Sequence, residues 1–384
     1  MKIVFFSNFL NHHQTAFCEA LESIAGKGNF TFLADERTDD FRIEMGYSEI
    51  NSSTGYVLCV YDSNENFIKA KKLIADCDLL IATGGCPPKY LQTYDKRAKS
   101  GKTSFVYSER PYKKNIDRFN IRGFLTRRKK HTKYENCNSY LLCAGAYTAK
   151  DFRFFGAYKN KCFKFGYFPD VESNRENLTV SKDSSKSVKL LWAGRLIDWK
   201  CTETALNLAD YLKKNGVDFC LDIVGTGNRE PFLRSLAYKL DIEDKVNFLG
   251  ALSHDEVRKK MKQSDIFLFT SNRQEGWGAV LNESMGDGCA VVANCEAGAT
   301  EYLVKDGYNG IVYSKKHHEK MYEKVLVLCS NRDEIKRLGE NAARTMKELW
   351  NAKVAAQRLV KVYEQIKEGK EPFVYSEGPL SNAE

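Results

Sequence analysis

No stretch of this 384-residue chain holds eighteen consecutive apolar positions, so a membrane-spanning helix is not expected. The amino terminus, Met1-Lys-Ile-Val-Phe-Phe6, is apolar but stops at Ser7-Asn8. A signal peptide needs a longer apolar region, and the segment reads instead as a first β-strand. The twelve cysteines include no Cys-x-x-Cys pair, which removes the spacing of a zinc site or a disulfide framework. Cys59, Cys77, Cys143, Cys220 and Cys289 stand in apolar runs, as buried free thiols do. The cytoplasm is the expected compartment. A dinucleotide fingerprint is also incomplete. Gly225-Thr-Gly227 begins one, but Glu230 holds the third glycine position, against nicotinamide binding.

The chain is not short of core-forming material. At 43% hydrophobic and 28% charged it has the composition of a soluble globular protein, and its length favours two domains. The net charge of +9 is unevenly spread. From Arg110 to Phe165 there are fifteen Lys/Arg against three Asp/Glu, a local +12, leaving about −3 for the remainder. The stretch includes Arg127-Arg-Lys-Lys130, with Phe119, Phe124 and Tyr134 nearby. A charge run is usually a solvated face. Such concentration also suits an anionic membrane surface or a phosphate-bearing acceptor, and no nucleic-acid partner is expected.

Hydrophobic patterning alternates between strand and helix, which implies parallel sheets covered by helices. Lys2–Phe6, Asn29–Leu33, Asp78–Ala82, Thr103–Tyr107 and Ser139–Cys143 read as strands of the first half. Helices are expected at Gln14–Glu22, Asn66–Ile74 and Thr148–Phe155. From 169 to 187 the chain turns polar and loses its pattern, as a linker does. A second strand–helix series starts at Val188 and reaches strand Ala290–Ala293. The region Arg332–Lys367 predicts two helices broken near Leu349-Trp-Asn351, and the last residues read as a frayed tail. The expected division is 1–168, linker 169–187, 188–348, then a helix and tail over 349–384.

One segment carries more chemistry than the rest: Glu275-Gly-Trp-Gly-Ala-Val-Leu-Asn-Glu283. Most carboxylate pairs at such a spacing are solvated helix faces. Here an apolar strand, Ile266–Phe269, precedes a tight turn at Gly276 and Gly278, and a buried strand follows. Glycine lets a ligand approach the backbone, and a helix opening beside it aims free N–H groups and a positive dipole end outward. That is a phosphate seat. Carboxylates beside it repel phosphate and suit sugar or ribose hydroxyls, which points to a sugar on a nucleotide diphosphate. A second constellation follows strand Leu190–Ala193: Gly194-Arg-Leu-Ile-Asp-Trp-Lys200 places Arg195 and Lys200 on one βα loop, a cation pair suited to a diphosphate.

Taken in order, Gly194-Arg-Leu…Lys200, Val224-Gly-Thr-Gly227, Phe248-Leu-Gly250, Glu275-Gly-Trp-Gly…Asn-Glu283 and Gly298…Glu301…Asp306-Gly-Tyr-Asn-Gly310 resemble the group 1, family 4 retaining glycosyltransferases of GT-B fold. The resemblance runs from about Val188 to Val312. Before it, the first half shares only the strand–helix rhythm, and Ser7-Asn-Phe-Leu-Asn-His-His-Gln14 departs from the Gly-rich first loop common in that family. The resemblance implies two Rossmann-like doubly wound α/β domains facing across a cleft. It implies a UDP- or GDP-sugar donor, a polysaccharide, lipopolysaccharide or lipid-linked glycan acceptor on the first domain, no cofactor and no compulsory metal. Catalysis would fall to Glu275, Arg195 and Lys200. Arg195 and Lys200 would hold the diphosphate, Glu283 the ribose, and Glu275 the transferred sugar. Gly194, Gly225, Gly276, Trp277, Gly278, Ala279 and Val280 would complete the donor site, and Lys353–Tyr363 is a candidate for a helix crossing back onto the first domain.

Other residues carry less. His12 and His13 stand on the first βα loop, where His13 could contact sugar or phosphate or serve the loop's structure. Glu109, after strand Thr103–Tyr107, could orient an acceptor hydroxyl or pair with a cation. Asp76-Cys-Asp78 resembles a metal motif of the other glycosyltransferase fold but runs into Leu79–Ala82, so it reads as a strand start. Two further classes stay open on sequence: a nucleotide-sugar epimerase of similar build, and a non-catalytic nucleotide-sugar-binding homologue.

Overall fold

Short apolar runs become parallel strands, and amphipathic runs become the helices that cover them. The computed structural model describes residues 1–38, 50–51, 54–85, 87–113, 120–170 and 187–383. The chain divides into one unit of residues 1–170 with 350–384 and another of residues 171–349. The expected linker, 169–187, falls almost entirely outside the described residues, as does Phe119.

The first unit runs β1 (Ile3–Ser7), α1 (His12–Ala25), β2 (Phe30–Ala34), β3 (Val57–Cys59), α2 (Asn64–Asp76), β4 (Leu79–Thr83), α3 (Leu91–Lys99), β5 (Ser104–Glu109), α4 (Ile121–Thr132), β6 (Ser139–Ala144), α5 (Thr148–Phe154) and β7 (Cys162–Phe165). Its strands lie in the order β3-β2-β1-β4-β5-β6-β7, with every pairing parallel. Parallel sheets are covered on both faces, and β1 is accordingly buried at all five positions. Asp78 begins β4 by accepting the Lys2 N–H at 2.7 Å, a strand-start role. Arg97 on α3 is a buried cation held entirely by neutral oxygens and a thiol. Its guanidinium donates to the carbonyls of Ile74, Cys77, Asp78 and Thr103 and to Ser104 Oγ. It thereby ties the C-terminal end of α2 to the starts of β4 and β5, where the helix dipole favours positive charge.

The second unit repeats the plan. It runs β8 (Val188–Ala193), α6 (Glu203–Lys214), β9 (Phe219–Val224), α7 (Glu230–Lys239), β10 (Val246–Gly250), α8 (His254–Gln263), β11 (Ile266–Phe269), α9 (Ala279–Gly286), β12 (Ala290–Asn294), α10 (Thr300–Leu303), β13 (Gly310–Tyr313), α11 (His318–Cys329) and α12 (Arg332–Glu348). The strand order is β10-β9-β8-β11-β12-β13, again parallel throughout. Leu190, Trp192, Ile223, Leu268 and Val292 stand in its core. Strand order reverses between β8 and β11, so the loops leaving these two neighbours part to opposite faces and open a crevice at the carboxyl edge.

The predicted break near Leu349–Asn351 is present. Asn351 accepts the Val354 N–H at 2.9 Å and opens α13 (Ala352–Lys367), which packs against α1 in the first unit. The tail is not frayed. Asn382 bridges Phe163 antiparallel. Leu380 N–H donates to Lys164 O and Lys164 N–H to Ser381 O, each at 2.8 Å. Leu380 and Ser381 are buried, so the tail covers the edge left by β7, a long-range pairing that local composition does not encode. Leu380→Ala is expected to lower stability by about 2–4 kcal/mol in urea denaturation. A frayed tail would leave stability within about 0.5 kcal/mol.

Candidate donor-binding site of the second unit

At the end of β8 the chain turns at Gly194 and is stitched to the loop after β9. Gly194 N–H donates to Val224 O at 3.0 Å and Leu196 N–H to Thr226 O at 2.9 Å. A Cβ at Gly225 would lie 1.9 Å from Gly194 O, and one at Gly227 would lie 2.3 Å from Leu196 O. Gly225 also sits at φ +125°. Both glycines are thus required by backbone crossing backbone, which gives Gly225 a packing reason beside any ligand contact.

A hydrogen-bond relay joins this loop to the one after β11. Trp192 Nε1 donates to Thr270 Oγ1 at 2.8 Å, and Thr270 Oγ1 donates to the Lys200 carbonyl at 2.6 Å. Asn272 N–H reaches Trp199 O at 2.8 Å. The relay brings the Lys200 ammonium directly onto Glu275 Oε2, with both side chains largely shielded from water. Two residues chosen from separate motifs therefore meet as an ion pair. Arg195, on the same loop as Lys200, is exposed and lies over the Trp199 ring with its guanidinium carbon 5.5 Å from the centroid.

The turn itself is held from below. Glu275 N–H donates to Asn272 O at 2.9 Å, and Gly298 N–H donates to Glu275 O at 3.2 Å. Trp277 is fully buried, donating from Nε1 to Asn282 Oδ1 at 2.8 Å and meeting the Tyr302 ring edge-on at 6.1 Å. Its ring anchors the turn, so only its backbone remains for a ligand. Gly278 takes φ +95°, and a Cβ there would strike the Phe269 ring at 2.3 Å. It caps α9 without any side-chain hydrogen bond. Leu281 N–H turns back to Gly278 O at 3.0 Å, and the N–H groups of Ala279 and Val280 ahead of it have no carbonyl within the helix to meet.

Glu283 follows on α9 and is buried, with Oε1 3.4 Å from Nε2 of the half-exposed His254. His254 opens α8 behind a capping box between Ser253 and Glu256. A buried fork fixes α8 against the end of α9: Arg258 Nε and Nη2 reach Asp287 at 2.5 and 2.9 Å. Such a pair mainly fixes geometry, since desolvation offsets much of its attraction. Sequence reasoning missed His254, Arg258 and Asp287. The Ser253-x-x-Glu256 box would have placed His254 at a helix start, but nothing local announces its contact with Glu283.

The remaining predicted residues lie in the first unit, at the carboxyl edge of its sheet. Glu109 Oε1 accepts from Tyr167 Oη and its Oε2 from Lys113 Nζ, each at 2.8 Å. His13 lies with its ring 5.9 Å from that of Tyr167, and its carbonyl accepts the Phe168 N–H at 3.4 Å.

Residues 174–345, nearly all of the second unit, match the family described as "Glycosyl transferases group 1". An uncharacterized glycosyltransferase of Methanocaldococcus jannaschii is 29% identical over 197 residues, 51% of this chain and 50% of the relative. The amylovoran biosynthesis glycosyltransferase AmsK of Erwinia amylovora is 23% identical over 201 residues, 51% of this chain and 49% of the relative. The chain thus spans about half the length of these curated relatives. Among solved structures, Anabaena HepE in complex with UDP superposes with a TM-score of 0.68 at 16% identity, covering 96% of this chain and 99% of that one. That likeness shows the fold.

The site generates two predictions. Gly225→Ala forces a clash with backbone that no side chain can relieve, so it should destabilise the second unit by more than about 3 kcal/mol in urea denaturation. The hydrogen bond to Glu283, acting against burial, raises the His254 pKa above its ordinary 6.5. Its stabilisation is therefore fully present below pH 6.5 and lost as pH rises through the raised folded value. The stability gap between the parent and His254→Gln should close over that window, and Glu283→Gln should lower the His254 titration, followed by NMR. A gap independent of pH would contradict the pairing.

Proposed function

We propose that this protein, whose residues 174–345 match the group 1 glycosyl transferases, is a retaining glycosyltransferase. It moves a hexose-type sugar from a nucleotide-diphosphate sugar to a growing polysaccharide, lipopolysaccharide or lipid-linked glycan. The observation that carries this reading is the meeting of Lys200 with Glu275 beside the uncapped start of α9.

Breaking the glycosyl–phosphate bond sends its electron pair onto the diphosphate and builds positive charge on the sugar. Arg195, exposed and without an ion pair among the described residues, is open to the diphosphate of an arriving donor. Lys200 then shifts from Glu275 toward the leaving oxygen as its charge develops, and the first-turn N–H groups of α9 add fixed positive dipoles. Glu275, released from Lys200, accepts hydrogen bonds from the transferred sugar's hydroxyls. Glu283 accepts from the ribose. The acceptor hydroxyl attacks on the face the diphosphate leaves, and its proton passes to the departing phosphate oxygen, a route with no compulsory metal.

The Glu109, Tyr167 and His13 edge of the first unit supplies acceptor contacts in this reading, and the enzyme works in the cytoplasm against an anionic membrane. Among the described residues, no helix is long and apolar enough to cross a membrane. AmsK is named for a polysaccharide pathway, in keeping with a glycan acceptor, and HepE, solved with UDP, makes UDP-sugars the first donors to test, followed by GDP-sugars.

Calorimetry should detect nucleotide-sugar binding that weakens in Arg195→Ala. Lys200→Ala should raise the transfer barrier by about 3 kcal/mol, on the order of a hundredfold in rate. No binding across UDP- and GDP-sugars, with Arg195→Ala behaving identically, would end the enzymatic reading.

A further inference from the structure

The local +12 between Arg110 and Phe165 does not spread evenly once the chain is folded. Arg110 is buried against Asp151, Lys113 is spent on Glu109 and Lys133 on Asp95. Lys161 donates to the carbonyls of Glu135 and Cys137. Lys150, Arg153 and Lys159 stay exposed on and just after α5, and the largest group stands on α4, Ile-Arg-Gly-Phe-Leu-Thr-Arg-Arg-Lys-Lys-His-Thr, which holds five Lys/Arg and no carboxylate.

The helix has two unlike faces. Phe124 and His131 turn inward against α5, with Phe124 5.3 Å from Phe154 and His131 4.8 Å from Phe152 between ring centroids. Burial holds the His131 pKa down at about 4, so it packs as a neutral ring. The outer face carries Ile121 and Leu125, one turn apart and 75% and 56% exposed. Arg122, Arg128 and Lys129 are exposed around them, and no described carboxylate pairs with these three cations. Phe154 on α5, edge-on against Phe124, is itself 51% exposed. Solvent-facing helix positions are ordinarily polar, and two large aliphatic side chains there gain nothing in water.

We propose that the outer face of α4 is a membrane-docking surface, taking anionic phospholipid headgroups on Arg122, Arg128 and Lys129 while Ile121 and Leu125 enter the headgroup–acyl boundary. A basic rim around an apolar strip is the composition of helices that lie in the interface plane. A soluble polyanion satisfies the cations alone and leaves Ile121 and Leu125 in water, so the apolar strip selects lipid. The surface deepens the peripheral-membrane part of the functional reading and rests on it only there. Docking needs neither donor nor acceptor, so failure of the transferase reading would leave it standing.

The test is sedimentation of the full chain with vesicles of phosphatidylcholine alone or with 30 mol% phosphatidylglycerol, without nucleotide-sugar. Binding is expected only to the anionic vesicles. Each cation near such a surface contributes about 1 kcal/mol, roughly fivefold, so Arg122→Gln with Lys129→Gln should weaken binding roughly 25-fold. Ile121→Ser with Leu125→Ser, both at exposed positions and checked for unchanged thermal unfolding, should weaken it on the order of tenfold. Vesicle binding that ignores Ile121→Ser/Leu125→Ser, with equal binding to heparin, would overturn the proposal in favour of a soluble polyanion. Absence of any binding to anionic vesicles would overturn it outright.

Discussion

The contact between the Lys200 ammonium and the Glu275 carboxylate is the constraint around which the second unit is arranged. It joins the loop after β8 to the turn after β11, the two loops that flank the point where strand order reverses. Neither residue reaches the other unless the backbone beneath is fixed. The Trp192–Thr270–Lys200 relay sets one side, and the buried Trp277 sets the other. In the free protein the pair neutralises itself in a shielded place. In the proposed reading, a donor's diphosphate competes for the cation and its sugar hydroxyls compete for the acid, so one ligand satisfies both groups at once.

Buried charges do the orienting elsewhere, each in a way that suits its neighbours. Arg258 and Asp287 lock α8 to α9, which holds His254 against Glu283. Arg97 meets only carbonyls, a hydroxyl and a thiol, because it sits where a helix ends and two strands begin. Arg110 and Asp151 fasten the end of β5 to α5. Removing either member of such a pair leaves an uncompensated charge out of water, which is far more costly than the pair itself is favourable.

What could be read from the sequence was what short-range patterns carry. The alternation of apolar runs is enough for two parallel sheets, and Gly278 followed by Ala279–Gly286 is enough for a helix opening on a tight turn. The candidate-site glycines were legible as special, but not the reason for Gly225, which is the Gly194 carbonyl crossing above it. Brief or polar elements such as β3, β7 and α3 escaped because three or four residues, or a strongly charged helix, leave little periodicity to detect. The tail was misjudged for a different reason. Its order comes from β7, far away in sequence, and no local property of Leu380–Ala383 announces that partner. His254 and Glu283 share the same difficulty, being neighbours only through the packing of α8 on α9.

The most direct test of the convergence is a double-mutant cycle on nucleotide-sugar affinity with Lys200→Met, Glu275→Gln and the double variant. If the two groups act on one bound donor, their losses are non-additive, with a coupling of about 0.5–3 kcal/mol. Strictly additive losses, or affinities untouched by all three variants, would contradict it.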